Sequence, residues 1–363
     1  MHKCRAKQPS IDVIRVLAPI ARELALDLLL AAGVQGWVAE ATAGGLWHAS
    51  LRGTDSHGLR LLPHYLLGVE KGRINPAPQI SFTRTAHSTG RLNADHTFGH
   101  AAGIAAIDKA IELARETGLG FVGVFNSSHC GAMSYFGLRP CDFDMIGLAF
   151  THASPKVLTP GSTQSFFGTN PICVCAPMAG EAPFCFDSAP TSVTSNKILM
   201  LSEAGLSLPS GVAADTAGRL TTDPKAAIQL LPIGGYKGFG LAMVVDIFCA
   251  LLTGMPAGPG ISMMYQAPMN ERRYLGQFYG AVRISAFEDP HVFKTRLKKL
   301  CDGVRSQPLR VDAEEPPMVP GDPEKETENE RRNEGIPLPS RLVSELDSWA
   351  RRLDVSPLAD RFG

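Results

Sequence analysis

The sequence predicts a mixed α/β fold, in which short strands in the middle of the chain are joined by helical segments from both ends. Three observations support this class. Apolar residues at helical spacing cover most of residues 11–71, short apolar runs between turn residues fill residues 79–284, and helical patterns return from residue 291. Strands and helices do not alternate regularly enough for a doubly wound sheet.

Composition narrows the class of protein further. The chain has 363 residues, of which 44% are hydrophobic, enough for one large or two medium domains with a sizeable core. Its 35 basic and 35 acidic residues balance, so we expect neither a nucleic-acid partner nor a membrane partner. The N-terminus has no apolar signal-peptide core, and no apolar run reaches the roughly 20 residues of a membrane span, which indicates a cytoplasmic protein.

The eight cysteines are not arranged as metal ligands. Cys173 and Cys175 lie in an apolar run, where alternate strand residues share one face, and no C-x2-C pair occurs. We therefore expect reduced cysteines in the core and no metal site.

The predicted elements follow from apolar periodicity and turn residues. Residues 11–32 are predicted to form one helix, or two broken near Pro19, with Gly33 as the end. Further helices are predicted over 36–51, 59–71, 99–117, 241–252, 291–304 and 340–353, and strands over 80–85, 121–125, 145–151, 171–177, 184–187 and 276–284. The helix over 241–252 is expected to be buried, and the charged, proline-rich residues 312–340 to form a loop or a tail.

Residues 118–123 match the G-x-G-x-x-G pattern of dinucleotide-binding proteins in the wrong context. The fingerprint follows a strand and opens a helix, whereas this segment follows a predicted helix and opens a strand. We interpret it as a helix cap and a turn, which excludes an ordinary Rossmann site.

Two histidine motifs offer acid–base chemistry. His57 lies in the Asp-Ser-His-Gly turn over residues 55–58 with Arg52 and Arg60 nearby, and arginine forks bind carboxylates. His129 directly follows the strand predicted over 121–125, and its pKa suits proton transfer to a carbonyl oxygen. For each histidine, a structural role in a turn or a hydrogen bond is an equal alternative.

Other histidines and one buried acid are interpreted as structural. Four further histidines lack the paired spacing of a metal site, and we expect them in the core or on the surface: His64, His96, His100 and His152. Asp246 stands alone on an apolar helix, so we expect it to pair with a buried donor or cation.

Four segments combine turn residues with polar or charged ones. Residues 234–240 place Lys237 in a glycine-dense loop before a helix, which presents N–H groups and a cation to an anion. Residues 168–171, Gly-Thr-Asn-Pro, are interpreted either as a turn that leads into a strand or as a segment whose backbone and amide donors bind a ligand. Asp187 follows a short strand, where it orients a histidine, accepts from a ribose or caps the next helix. Residues 320–324, Pro-Gly-Asp-Pro-Glu, are typical of a solvated linker.

In this order and spacing, the D-S-H-G, S-H-x-G, G-T-N-P, G-G-x-K-G and P-G-[DE] segments resemble the malate/L-lactate dehydrogenase superfamily of non-Rossmann, NAD(P)-dependent oxidoreductases. The similarity covers almost the whole chain. It implies a mixed-sheet, cofactor-binding α/β domain over residues 86–290, and a helical domain built from residues 1–85 and 291–363. It also implies a homodimer whose active site lies near the subunit interface.

The resemblance implies two sets of site residues. Ser56, His57, Arg60 and His129 would surround the substrate, with Arg52 and Lys237 as further cations. NAD or NADP would contact the following residues: Gly168, Thr169, Asn170, Pro171, Asp187, Ser188, Lys237, Gly238, Gly321, Asp322 and Pro323. Members of the family differ over which histidine is the acid/base, and we favour His129, because a strand end holds it rigidly. Ser56, His57 and Asp187 complete the predicted catalytic set.

The resemblance implies a dehydrogenase that transfers a hydride between NAD(P) and a small 2-hydroxy or 2-oxo carboxylic acid, such as malate, lactate or ureidoglycolate. The nearest alternative is a reductase of cyclic 2-imino acids, such as Δ1-piperideine- or Δ1-pyrroline-2-carboxylate, because it too needs one acid and one carboxylate clamp. A third hypothesis is a cofactor-binding homologue without catalysis, and the presence of His57, His129 and Lys237 argues against it.

Overall fold

The computed structural model describes residues 12–313 and 315–361. In chain order, the first elements are β1 (Val13–Val16), α1 (Ala18–Ala31), α2 (Gly36–Leu51), α3 (Leu62–Glu70), β2 (Ser81–Ala86), β3 (Thr89–Asn93), α4 (Gly99–Thr117), β4 (Leu119–Ser127), α5 (Ser134–Gly137), β5 (Met145–Thr151), β6 (Val157–Leu158) and β7 (Ser165–Phe167). They are followed by β8 (Ile172–Ala176), β9 (Phe184–Ser188), α6 (Ser195–Glu203), β10 (Ala213–Ala214), β11 (Gln229–Leu230), α7 (Tyr236–Asp246), β12 (Leu275–Arg283), α8 (Pro290–Arg305), α9 (Asp322–Glu334), β13 (Ile336–Pro339) and α10 (Ser340–Arg352). Residues 1–11, with Cys4 and the start of the helix predicted over 11–32, lie outside the described residues.

A seven-stranded mixed sheet forms the centre of the fold. Its strand order is β2-β3-β4-β12-β5-β8-β9, with β3 and β4 parallel and each other neighbouring pair antiparallel. A second sheet of four strands has the order β10-β11-β6-β7. The predicted mixed α/β class is therefore confirmed, and each predicted strand lies within two residues of an observed one.

Helix α4 packs closely on β4 through small residues. Ala110 and Ala114 of the helix are fully buried with Val122 of the strand, and a Cβ atom at Gly120 would overlap the carbonyl oxygen of Ala110. Gly118 ends α4 in the left-handed conformation, with a φ of 90°. The G-x-G-x-x-G segment is therefore a helix cap and a close-packed strand, as predicted.

Elements from both ends of the chain share one hydrophobic cluster. β1 pairs antiparallel with β13, and buried side chains of α1, α2, α3 and α10 join them. The helix predicted from residue 11 is thus wrong over Val13–Val16, because β13 supplies backbone partners that no local pattern reports. Pro19 lies in the first turn of α1, where a missing N–H costs no hydrogen bond. The predicted helices over 36–51, 59–71 and 340–353 are confirmed.

The charged segment over residues 312–340 is not a loop or a tail, because it contains α9 and β13. Pro323 occupies the first turn of α9, and Gly335, with a φ of 89°, ends the helix. No residue of α9 is fully buried, so an apolar stripe does not hold it. Long-range ion pairs do so instead, as between Arg331 and Asp55.

The apolar run over residues 241–252 is helical, but the prediction that it is buried is wrong. α7 begins at Tyr236, which puts Lys237 and Gly238 in its first turn rather than in a loop, and a π-helical turn over Ile247–Leu251 continues it. One set of large apolar side chains is 40–66% exposed: Leu241, Met243, Val244, Ile247, Leu251 and Leu252. In the described parts of the chain, no helix has the length and apolar content needed to cross a bilayer.

Replacing Gly120 by alanine is expected to lower the free energy of unfolding by about 1–3 kcal/mol, because the new methyl group overpacks the contact between β4 and α4. Gly303→Ala, in the last turn of α8, is the matched control. A Cβ atom there meets no neighbour within 4 Å, so better helix propensity is expected to raise stability by about 0.5–1 kcal/mol. Urea unfolding followed by circular dichroism measures both variants, and a Gly120→Ala protein as stable as the parent would contradict this packing.

Candidate active site

Five strand ends meet at one edge of the seven-stranded sheet. β4, β5 and β9 end at this edge, and the antiparallel strands β12 and β8 begin there. Ser127, the last residue of β4, pairs with Leu275 of β12, and Ile172 of β8 pairs with Ser188 of β9. The motifs that follow or precede these strands therefore converge, although they lie far apart in the sequence.

A cavity of about 570 Å³ lies at this edge, which is a suitable size for a small-molecule site. Its walls come from the sheet edge and from the α2–α3 connection. The sequence-predicted site residues that line it are Arg52, Ser56, His57, Arg60, His129, Thr169, Pro171, Asp187 and Ser188.

Two stacked imidazole rings occupy the cavity wall. The ring centroids of His57 and His129 are 5.6 Å apart, with 17° between the ring planes. The Ser56 hydroxyl lies 2.8 Å from Nδ1 of His57, and the Tyr65 hydroxyl lies 2.6 Å from Nδ1 of His129. Each ring is held through Nδ1, so its Nε2 atom is the one left for a ligand. Sequence reasoning did not single out Tyr65, whose buried hydroxyl has a pKa well above the usual value.

Burial keeps both rings unprotonated at neutral pH. Desolvation lowers the pKa of His57 to about 4, with a further contribution from the charge of Arg60. The pKa of His129 is lowered well below its usual value, first by burial and then by His57, His100 and the charge of Arg273. Each ring is therefore a neutral base.

The Asp55–His57 turn is held in place by α9. The Asp55 carboxylate accepts two hydrogen bonds from the Arg331 guanidinium, at 2.5 and 2.9 Å. Arg52, predicted as a cation for the substrate, is 7% exposed and pairs with Glu328 of α9 at 3.0 Å. Arg52 thus reaches the cavity with its charge already partnered by an acid of the protein.

Asp187 caps a helix rather than orienting a histidine. Its carboxylate accepts a hydrogen bond from the backbone N–H of Ser134 at 2.7 Å, at the start of α5. No hydrogen bond joins it to a histidine within the described residues, and the next helix, α6, is capped by Thr194 instead. Burial raises the pKa of Asp187 to about 6.

Residues 168–171 alternate between the cavity and the interior. Thr169 and Pro171 line the cavity, whereas Asn170 is fully buried and donates from Nδ2 to the Asp246 carboxylate at 2.8 Å. Asn170 therefore ties this loop to α7. The predicted pairing of Asp246 with a buried donor is confirmed.

The other predicted cofactor contacts lie outside the cavity lining: Gly168, Asn170, Lys237, Gly238, Gly321, Asp322 and Pro323. Gly321, with a φ of 98°, packs against Cys185, which does line the cavity. The Asp322 carboxylate pairs with Arg305 at 2.7 Å. Glu324 is the residue of this segment that reaches the cavity, and the roles assigned to the other seven stay predictions.

Sequence reasoning missed two buried side chains of the wall. His152 follows β5, is 1% exposed and accepts the Gly276 N–H through Nε2 at 2.8 Å. Its Nδ1 atom has no hydrogen-bond partner in the described chain, and burial lowers its pKa to about 3. Arg273, two residues before β12, is 5% exposed. Position beside a strand end was the feature that could have identified both residues.

One part of the wall suits the phosphate groups of a dinucleotide. Helix α6 begins at the cavity, where Thr194 and Ser195 line the wall, and the Lys156 ammonium lies 3.0 Å from the Ser195 hydroxyl. A helix N-terminus with an adjacent ammonium attracts anions. The hydroxyls of Ser188 and Thr191, also in the lining, can hydrogen-bond a ribose. These groups are of the kind that bind the phosphates and the ribose of NAD(P), and none of them belongs to a Rossmann glycine loop.

Comparison with known sequences gives the family. The family model for malate/L-lactate dehydrogenase matches residues 18–347. Ureidoglycolate dehydrogenase (NAD(+)) of Escherichia coli O157:H7 is 32% identical over 277 residues, covering 76% of this chain and 79% of the relative. (2R)-3-sulfolactate dehydrogenase (NADP(+)) of Chromohalobacter salexigens is 33% identical over 339 residues, covering 91% and 96%.

Solved structures agree with this assignment. Malate dehydrogenase from Entamoeba histolytica superimposes with a TM-score of 0.89 at 26% identity, covering 95% of this chain and 99% of the other. Δ1-Piperideine-2-carboxylate reductase from Pseudomonas syringae has a TM-score of 0.82 at 25% identity, covering 93% and 100%. The chain belongs to the malate/L-lactate dehydrogenase family. The predicted class, an NAD(P)-dependent oxidoreductase of 2-hydroxy acids, is confirmed.

The buried histidines make stability depend on pH. Burial lowers the pKa values of His48, His57 and His64 to about 4, and those of His100 and His152 to about 3. Between these values and about 6.5, the unfolded chain binds protons that the folded chain does not, so stability falls as the pH is lowered. Asp187 acts in the opposite direction between pH 3.8 and about 6, and the raised pKa of Asp246 acts in the same direction as that of Asp187. These two acids oppose seven histidines, because the pKa values of His96 and His129 are lowered as well.

We therefore expect the free energy of unfolding to decrease steadily from pH 7 to pH 5, with a slope of up to about 1.4 kcal/mol per pH unit for each proton taken up. Urea unfolding at pH 5, 6, 7 and 8 measures the slope. His100→Gln, at a fully buried position outside the cavity lining, should reduce it by about one proton. An unchanged slope in this variant would show that His100 is not held neutral by burial.

Proposed function

We propose that this enzyme interconverts a small 2-hydroxy acid and its 2-oxo acid, with His129 as the acid/base. The observation that carries the proposal is the stacked pair of neutral histidines in one cavity with arginine side chains. The relatives above are named as dehydrogenases of ureidoglycolate, sulfolactate and malate, all of which are 2-hydroxy acids.

His129 exchanges the proton of the substrate oxygen through Nε2. In the oxidation, the neutral ring accepts the hydroxyl proton, and in the reduction the protonated ring returns it to the carbonyl oxygen. The Tyr65 oxygen accepts the Nδ1–H of the protonated ring and fixes its orientation. Bound NAD(P) supplies the acceptor or the donor of the hydride.

His57, Ser56 and Arg60 bind the substrate in this proposal. The Ser56 hydroxyl holds Nδ1 of His57, so that its Nε2 faces the substrate. Arg60, which is exposed at the cavity, receives the C1 carboxylate. Arg52 lines the cavity with its charge balanced by Glu328, whereas Lys237 lies outside the lining and adds positive charge from behind the wall.

The cofactor is held by the wall on the β9 side. Thr169, Pro171, Asp187 and Ser188 contact it directly, and the N-terminus of α6 takes its phosphate groups. The remaining predicted contacts shape the wall from behind or complete it at its rim: Gly168, Asn170, Lys237, Gly238, Gly321, Asp322 and Pro323.

A substrate panel tests the proposal. The enzyme is assayed with NADH and with NADPH on two groups of compounds. The first group contains the 2-oxo acids oxaloacetate, pyruvate and glyoxylate, and the second contains the cyclic imines Δ1-piperideine-2-carboxylate and Δ1-pyrroline-2-carboxylate. Turnover of a 2-oxo acid is expected. Activity on the cyclic imines alone would favour the second candidate, which the structural similarity to a Δ1-piperideine-2-carboxylate reductase supports. If the protein binds NAD(P)H but turns over none of these compounds, the hypothesis of a cofactor-binding homologue without catalysis is supported.

His129→Gln is expected to lower kcat about 10²–10⁴-fold, because the proton can no longer be exchanged, while NAD(P)H binding measured by fluorescence is retained. The matched variant His57→Gln should act mainly on KM, since it loses a substrate contact. The assignment of the base is wrong if His129→Gln turns over normally and His57→Gln is inactive.

We further propose that the enzyme is a homodimer whose interface includes α7. Helix α7 and the π-helical turn that follows it expose several large apolar side chains, and exposed apolar patches are typical of interfaces between subunits. Lys237 lies in the first turn of α7, so a second subunit seated there would lie beside a predicted site residue.

Leu251→Glu is expected to convert the dimer to monomers, because it buries a charge in the proposed interface. Leu300→Glu is the matched control, since Leu300 is equally exposed on α8, at 66% for both residues. Analytical ultracentrifugation measures the masses. A monomeric parent protein, or a dimeric Leu251→Glu variant, would reject this interface.

The division into a helical domain (1–85 with 291–363) and a cofactor domain (86–290) is proposed on the hydrophobic clusters. One cluster joins buried residues of both chain ends, and the other fills the sheet and α4. Helix α8 belongs to neither of these two clusters, since its Cys301 packs with Met178 and Val319.

We also propose a cytoplasmic location, because the cysteines of the described chain are free and buried, as is typical of a reducing compartment.

A further inference from the structure

Three thiol groups lie together beside the cavity, where β8 and β9 pack against α5. Cys173 and Cys175 of β8 and Cys185 of β9 are at most 4% exposed, and their sulfur atoms lie within 4.8 Å of one another. The packing is close, because a Cβ atom at Gly137 of α5 would lie 2.7 Å from the Cys173 sulfur and 3.1 Å from the Cys175 sulfur. Of the three cysteines, Cys185 is the one that lines the cavity.

Strand pairing decides which two of these thiols can form a bond. Cys175 and Cys185 are directly opposite each other on antiparallel strands, with their sulfur atoms 3.4 Å apart. Opposed Cβ atoms are about 4.5–5.5 Å apart, close to the roughly 3.5–4.5 Å of a disulfide. Cys173 lies two positions from Cys175 on one strand, about 6.6–6.8 Å away, and diagonal to Cys185, at about 7–8 Å. The cross-strand pair is therefore the one that can close with little backbone movement.

Cys185 is also the member of the cluster that favours the ionised form. Hydrogen bonds from Cys173 and Cys175 lower the pKa of its thiol against the opposing effect of burial, and the nearby charge of Arg52 lowers it further. Burial raises the pKa of the Cys173 thiol well above its usual value. Because the thiolate is the form that reacts with oxidants, the cysteine at the cavity is the reactive one.

We propose that the cavity wall contains a hydroperoxide-reactive site, in which Cys185 is oxidised first and Cys175 closes a disulfide with it. The Cys185 sulfur attacks one oxygen of the peroxide, the O–O bond breaks, and the released hydroxide takes up the thiol proton to form water. The sulfur of Cys175 then attacks the resulting sulfenic acid, so the S–S bond forms and the hydroxyl leaves with the Cys175 proton as a second water. Two thiols are oxidised and one hydrogen peroxide is reduced to two waters.

The bond would form in the same wall as the proposed cofactor contacts. Asp187 and Ser188 follow Cys185 on β9, and both line the cavity. In a reducing compartment, thiols reopen such a disulfide by exchange, so the wall responds reversibly to peroxide. The reaction needs no turnover, so this site stands or falls independently of the proposed function.

Mapping of the oxidised protein tests the proposal. The reduced, full-length protein is treated with hydrogen peroxide, unfolded in iodoacetamide and digested without reduction after Lys156 and Glu181, which separates Cys185 from the other two cysteines. Mass spectrometry is expected to show two peptides joined through Cys175 and Cys185, with the loss of two hydrogen atoms and the iodoacetamide label on Cys173. Dithiothreitol should separate the two peptides.

Three alanine variants separate the roles of the thiols. Cys175→Ala should lose the disulfide and give a dimedone adduct at Cys185, because the sulfenic acid has no partner. Cys185→Ala should give neither a disulfide nor an adduct at Cys175, which does not line the cavity. Cys173→Ala is the matched control, since it removes an equally buried sulfur and leaves the reacting pair, so the disulfide should still form.

Four outcomes would overturn the proposal: a parent protein that does not react with peroxide, a disulfide that includes Cys173, a dimedone adduct at Cys175 in Cys185→Ala, or no disulfide in Cys173→Ala. A metal ion found with the purified protein and lost in each variant would overturn it too, because the thiols would then be ligands. The mapping of the parent protein needs no substitution, so it decides the question even where a variant does not fold.

Discussion

The active site depends on the contact between the α2–α3 connection and one edge of the sheet, because this contact buries two imidazole rings against each other. His57 comes from the turn before α3 and His129 from the end of β4, and their ring centroids are 5.6 Å apart. Two rings this close and this desolvated do not carry protons together at neutral pH. The contact therefore sets the charge state of the cavity, and the same desolvation strengthens every interaction with an anionic substrate.

The C-terminal part of the chain controls this contact through ion pairs rather than apolar packing. Helix α9 has no fully buried residue, yet Arg331 holds Asp55, which is 276 positions earlier in the chain, and Glu328 holds Arg52. The turn that carries His57 is therefore held by α9 as well as by its own backbone hydrogen bonds and those to α2. Stability and site geometry are coupled here, because the same guanidinium groups serve both.

The arginines of the wall differ in how their charge is compensated. Arg52 is balanced by Glu328, whereas no acid among the described residues balances Arg273. Asp187 and Glu324 also line the cavity, and burial raises the pKa of Asp187 to about 6. Positive charge left over in a desolvated cavity favours anionic substrates, which agrees with an enzyme of 2-hydroxy acids.

The sequence by itself determined the mixed α/β class, six of the seven strands of the main sheet (β3 was not predicted), helix α4 with its Gly118 cap and the two histidine motifs, because periodicity, turn residues and motif order are local properties. Only the tertiary structure decided that Val13–Val16 is a strand, that residues 322–334 are a helix, and that the face of α7 is exposed. The strand and the helix depend on partners far away in the chain, and the exposure of α7 depends on the lack of packing partners among the described residues. The same holds for Tyr65, His152 and Arg273, which are ordinary residues in the sequence and become site residues because folding buries them at one sheet edge without enough partners of their own.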